Sequence, residues 1–228
     1  EVVRRFAALK PAAKDFRVIW DNAYIVHDLN DTPDKLLNIF DEAKKCGSEN
    51  MFIEVISTSK ISFAGGGISA VIASDANIAE IKKRMSIQII SNDKINQLRH
   101  ARYFKNLDGI KAHMKKQAAI LKPKFDAVTD GFEKAFDGTG IASWKKPNGG
   151  YFISLFVMNG CAKRVGQLCK EAGLTLTTVG ATYPYGIDPD DSNIRIAPSY
   201  PDVDELKKAV ELLCICVKLA AAEKLTEE

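Results

Sequence analysis

Three stretches of the chain carry the side chains best suited to chemistry. Asp21 and Tyr24 stand in Asp-Asn-Ala-Tyr, directly after an apolar run. Lys60 ends the tetrapeptide Ser57-Thr58-Ser59-Lys60, after a second apolar run, and Gly65-Gly66-Gly67 follows closely. Much later, Asn148-Gly149-Gly150 opens a third apolar run, and Asn193-Ile194-Arg195-Ile196 carries an arginine. An amine just past a strand end can act as nucleophile and proton carrier. A carboxylate there favours a neighbouring cation. Hydroxyls and glycine N–H groups suit an anion. A guanidinium holds a carboxylate through two parallel hydrogen bonds, which an ammonium cannot do. Singly, none of these pieces is specific. A strand-ending Asp is most often a turn residue, and an S-x-S-K tetrapeptide arises by chance.

The elements that must position them read as follows. Residues 2–10 look like the end of an amphipathic helix that Pro11 stops. Residues 16–20 (FRVIW), 51–56 (MFIEVI) and 68–73 are short and rich in β-branched or aromatic residues, as buried strands are. A helix is expected from the Thr32-Pro33 start to about Lys45, closed by Gly47, and another over residues 77–85. This order fits an α/β layer with a mostly parallel sheet. In such sheets chemistry collects past the carboxyl ends of strands, where Asp21 and the Ser57–Lys60 turn stand. From Lys94 the period becomes helical to residue 136, with a break expected near Pro123. Strands at 151–157 and 193–197, and helices at 162–172 and 204–222, then read as α+β. The expected division is residues 1–105 and 106–228.

Composition sets the frame. The chain has 228 residues, 46% apolar and 27% charged, with a net charge of +3. That is the balance of a soluble globular protein of one to two domains, not of a disordered, collagen-like or disulfide-stapled chain. Lys111, Lys115, Lys116, Lys122 and Lys124 are interleaved with apolar residues, so they read as a solvated helix face rather than a nucleic-acid surface. The odd cysteine count of five, without a C-x-x-C, reads as buried small hydrophobes. The three histidines are scattered, so no metal site is expected. No apolar run approaches the roughly 18 residues of a membrane span, and the default address is the cytoplasm. Glu1 in place of an initiator Met, within a helical pattern, suggests a chain that starts in mid-domain.

Together, the order and spacing of these pieces resemble the C-terminal portion of the fold-type I, pyridoxal-phosphate-dependent aminotransferases of class I/II. The resemblance covers essentially the whole chain. The segments W-D-N-A-Y-I-V-H, S-T-S-K-I-S-F-A-G and G-A-T-Y-P-Y-G-I-D-P look like a branch whose members are named aspartate aminotransferases or MocR-type aminotransferases. The resemblance implies the second half of a large cofactor-binding domain, then a small domain. It also implies pyridoxal 5'-phosphate as cofactor. Lys60 would form the Schiff base and carry protons. Asp21 would pair with the ring nitrogen and Tyr24 with the phenolic oxygen. Ser57, and less directly Ser59, would bind the phosphate. Arg195 would hold the substrate α-carboxylate. The implied reaction moves an amino group from an L-amino acid, best aspartate, to a 2-oxo acid, best 2-oxoglutarate. The implied assembly is a homodimer, with no nucleic-acid or membrane partner.

Two features depart from the pattern. The family usually has a phosphate-binding arginine eight residues after the lysine; here that position is Ile68. The N–H groups of Gly65–Gly67 are the nearest replacement, the alternative being a basic residue from outside this sequence or from a partner subunit. The phosphate loop, the ring-stacking aromatic residue and an asparagine near the phenolic oxygen have no counterpart here. Two rival readings share these residues: another reaction on the same cofactor, such as β-elimination, and an effector-sensing module of a transcriptional regulator.

Overall fold

The apolar run after Phe16 becomes strand β1 (Val18–Asp21), and residues 52–57 become β2 (Phe52–Ser57). The two pair in parallel, with Val18 opposite Phe52 and Asp21 opposite Val55. Between them lies helix α2 (Ile39–Cys46). It starts later than the Thr32-Pro33 signal suggested. The Asn38 side chain accepts from the N–H groups of Phe40 and Asp41, so the true N-cap is Asn38. Gly47, at φ 65°, closes the helix as expected.

Strand β3 (Ser69–Ala73) pairs with β2 in the antiparallel sense, Ser57 opposite Ser69. The sheet order is β1-β2-β3, so it is mixed rather than mostly parallel. The cause is the connection. The eleven residues between Ser57 and Ser69 form a tight turn at Thr58 and a glycine loop, with no helix among the described residues, so they return the chain alongside β2 instead of carrying it across the sheet as a parallel crossover does. Helix α3 (Asp75–Gln88) follows, opened by the Ser74 hydroxyl, which accepts from the Asn77 N–H.

The long helical stretch is two helices, α4 (Lys94–Phe104) and α5 (Leu107–Phe136). The break lies at Lys105, which adopts φ 63°, and not at Pro123, which α5 absorbs. Asn106 restarts the chain, its side-chain oxygen accepting from the Gly109 N–H. Three further strands make a second sheet of order β4-β5-β6: β4 (Ala142–Trp144), β5 (Ile153–Val157) and β6 (Asn193–Ile196), all antiparallel. Helix α6 (Ala162–Glu171) links β5 to β6, and α7 (Val203–Glu227) ends the chain. A short helix α1 (Val2–Ala7) precedes β1. This computed structural model describes residues 1–62 and 64–227. Phe63, inside the S-T-S-K-I-S-F-A-G segment, lies outside them.

The chain divides into two compact units. One comprises Glu1–His27 and Asp34–Met114, the other Asp28–Pro33 and Lys115–Glu228. The division falls within α5, after the 105/106 border read from sequence. The first unit packs Ala7, Ile39, Ala43, Met51 and Phe52 under its sheet, and Ile61, Phe104 and Met114 in a smaller cluster. The second has one larger core, in which Phe132, Val128, Leu155 and Val165 are fully enclosed. Leu29 belongs to that second core, and its N–H donates to the Asn148 carbonyl at 2.8 Å. Asn148-Gly149-Gly150 therefore receives the 28–30 segment beside its own strand entry, with Asp28 bridged to Gly149. Cys161, Cys169, Cys214 and Cys216 are buried, while Cys46 is exposed at the end of α2. Among the described residues, no helix is long and apolar enough to cross a membrane.

Candidate active site

Parallel pairing brings the ends of β1 and β2 to one edge of the first sheet, and antiparallel pairing brings the start of β3 to the same edge. Three loops meet there: Asp21–Tyr24, Ser57–Lys60 and Gly65–Gly67. Asp21 is the last residue of β1 and is exposed. The next residue ties the end of β1 to β2. The Asn22 N–H donates to the Val55 carbonyl at 2.9 Å, and its amide donates to Glu54 at 2.7 Å. Tyr24 is half-buried and stands edge-on to His27, with ring centroids 5.3 Å apart.

The Ser57–Lys60 turn is internally closed. The Ser57 hydroxyl accepts from the Ser59 N–H at 3.1 Å and donates to the Ser59 hydroxyl at 2.9 Å. The two hydroxyls thus act as a linked pair. Thr58 closes the turn from both sides. Its carbonyl accepts from the N–H groups of Ile61 and Ser62, and its hydroxyl accepts from the Ile68 N–H at 2.8 Å. Lys60 itself is exposed. Gly67 lies directly behind Ser59. A Cβ there would stand 2.6 Å from the Ser59 hydroxyl and 2.8 Å from its backbone nitrogen. Only glycine lets the two loops approach this closely.

The histidines are the residues that sequence reasoning missed. All three of the chain's histidines hold this turn. His27 is buried and its Nε2–H donates to the Lys60 carbonyl at 3.1 Å. His113 Nε2–H donates to the Ile61 carbonyl at 2.8 Å. His100 Nε2 faces the Thr58 and Ser62 hydroxyls at 3.1 and 2.9 Å. Their separation along the chain offered no spacing by which to find them.

Arg195 lies in the second unit, on β6 opposite Ser154. Its guanidinium carbon stands 4.6 Å from the Phe152 ring centroid, a cation–π geometry. Its Nε is buried without a hydrogen-bond partner among the described residues. The G-A-T-Y-P-Y-G segment is pinned to the same strand. The Thr182 hydroxyl donates to the Asn193 side chain at 2.8 Å, and Asn193 donates to the Ser154 hydroxyl at 2.8 Å. The following Asp188 carboxylate accepts from the N–H groups of Asp190, Ser192 and Asn193. Burial raises its pKa and those backbone donors lower it, leaving it below the ordinary aspartate value.

An aspartate aminotransferase of Corynebacterium glutamicum is 45% identical over 223 residues, covering 98% of this chain and 52% of that protein. The crystal structure of an aspartate transaminase from the same organism superposes with a TM-score of 0.94, covering 98% of this chain and 53% of that one. A kynurenine aminotransferase from Pyrococcus horikoshii, at 23% identity, shares the fold with a TM-score of 0.74 over 96% of this chain and 52% of that one. The chain spans about half the length of the relatives it matches. The sequence model described as aspartate amino-transferase matches residues 1–228, and the chain belongs to that family.

Proposed function

We propose that the protein is a pyridoxal 5'-phosphate-dependent aminotransferase, acting from the edge where β1, β2 and β3 meet. The observation that carries this reading is the convergence there of Asp21, the Ser57/Ser59 hydroxyl pair and the exposed Lys60 amine. The edge fits the cofactor. It offers an amine, an acid and hydroxyl donors, and Gly67 keeps the floor behind Ser59 free of a side chain. The buried Nε of Arg195 fits a carboxylate ligand, since an unsatisfied buried donor gains most from a charged acceptor.

The cofactor, when bound, supplies an electron sink for negative charge at the substrate Cα. The residues of this chain then take distinct tasks. The Asp21 carboxylate keeps a proton on the ring nitrogen by favouring its cation. The Tyr24 hydroxyl donates to the phenolic oxygen. Ser57 and Ser59 donate to the phosphate. The Lys60 amine would anchor the cofactor and would carry the proton to and from the substrate Cα. Arg195 holds the α-carboxylate through two parallel hydrogen bonds. At the position of Ile68 the family's arginine is absent, and the Ile68 N–H is committed to Thr58. We assign part of the phosphate charge to Gly65–Gly67, where Gly65 adopts φ 77°. L-Aspartate and 2-oxoglutarate are the substrates this reading favours, in a homodimer.

The test uses the intact, cofactor-loaded protein. Borohydride should fix the cofactor covalently to the wild-type chain and not to Lys60→Ala. Fixation that survives the substitution would remove Lys60 from its role. Release of pyruvate and ammonia without any 2-oxo acid acceptor would replace transamination with elimination.

A further inference from the structure

All three histidines of the chain converge on one turn, and that turn carries Lys60. The partners fix where the ring hydrogens sit. The carbonyls of Lys60 and Ile61 only accept, so Nε2 of His27 and of His113 carries a hydrogen. The carbonyl of Asn96 accepts from His100 Nδ1 at 2.9 Å, which turns His100 Nε2 toward the hydroxyls of Thr58 and Ser62. These two residues flank Lys60 on either side, so one imidazole spans the turn. His27 and His113 meanwhile satisfy two successive carbonyls that a continuing helix would have bonded to its own N–H groups.

Each ring is itself held. His27 stands edge-on to Tyr24. His113 Nδ1 lies 3.4 Å from the Tyr103 hydroxyl, and its ring stands edge-on to Phe104. Ile61 is buried below the turn with Phe104 and Met114. Asn96 also donates to the carbonyls of Gly66 and Gly67, linking the histidine frame to the glycine loop.

We propose that His27, His100 and His113 are positioning residues for Lys60. They fix the backbone from which its amine is aimed, while touching no reactant themselves. The proposal rests on the reading of Lys60 given above, and its test is chosen to separate the two. Amide hydrogen exchange is measured on the intact protein without cofactor, in wild type, His100→Ala, His27→Ala and His27→Gln. Exchange at residues 59–62 should rise about fivefold in the alanine variants, the size expected from one lost hydrogen bond, with β2 unchanged. His27→Gln retains a donor and should restore protection. With cofactor, His100→Ala should lower kcat about tenfold and leave KM for the amino donor unaltered, as misaimed catalytic groups do.

Should His100→Ala not fold, Ser62→Ala removes one of the two hydroxyls it faces and leaves the Thr58–Ile68 bond in place. Unchanged exchange in the turn overturns the proposal. So does an equal rise throughout β2, which would mark a purely structural role. If wild type neither fixes the cofactor nor transaminates, the functional reading falls, and the exchange data still decide whether the histidines hold the turn.

Discussion

At Gly67 the absence of a side chain is a positive feature of the site. A methyl group there would meet the Ser59 hydroxyl at 2.6 Å and, less avoidably, the Ser59 backbone nitrogen at 2.8 Å and Cα at 2.9 Å. A hydroxyl can rotate away, but a backbone cannot. Ser59 would have to move, and the Ser57–Ser59 pair would part. Gly67→Ala should therefore weaken cofactor binding about tenfold or more, the cost of one hydrogen bond to a charged group, while the sheet stays folded. Titration of the visible absorbance of the bound cofactor reads the affinity, and circular dichroism reads the fold. An unchanged affinity would take the hydroxyl pair out of the phosphate cradle. The chemistry-bearing types here were legible from sequence, because Asp21, Lys60 and Arg195 sit in distinctive local segments. The histidines were not, because their shared target appears only when β1, α4 and α5 come together.

At the level of elements, apolar runs located all the strands flanking the site, and the glycine at position 47 located a helix end. What periodicity could not supply was direction and punctuation. Strand direction was set by the turn at Thr58 and the glycine loop after it, which reversed β3. Helix punctuation was set by side-chain caps: Asn38 outcompeted Thr32, and Asn106 with Lys105 broke the long helix where Pro123 did not. That break is structurally demanding. A Cβ on Gly109 would lie 1.8 Å from the Phe104 carbonyl oxygen, a backbone atom with nowhere to go. Gly109→Ala should destabilise the first unit by about 1–3 kcal/mol, the usual cost of overpacking. Because His100 and His113 stand on either side of the break, protection of the Lys60 turn should fall with it. Urea unfolding followed by the Trp20 signal measures the first effect. An unaltered midpoint would show that the break has more slack than the contact suggests.

On the scale of the whole molecule, two separate cores imply two separate responses to acid. Depressed carboxylates occur in both units, Glu42 in the first and Asp188 and Glu223 in the second. In the first, Glu42 is lowered by its hydrogen bond to Lys45, with Arg4 adding to the effect against a smaller burial penalty. In the second, Asp188 is lowered by backbone N–H groups that together outweigh its burial. A depressed native pKa adds stability above the unfolded value, here 3.8 for Asp188, and that stability is lost as the pH falls through the native value. Asp188→Asn keeps the size of the side chain but replaces one acceptor oxygen with a donor, so it loses this contribution at neutral pH. The variant should unfold earlier than wild type at neutral pH, and the gap should shrink as the pH drops below 3.8. The two tryptophans report separately, Trp20 from the first unit and Trp144 from the second. In a Trp20→Phe background, urea midpoints from Trp144 emission should follow this pattern. The matching Trp144→Phe background should show no effect of Asp188→Asn on the Trp20 transition. A gap that persists undiminished in acid would mean that Asp188 holds its loop by shape alone. A shift in both reporters would mean that the two cores unfold as one.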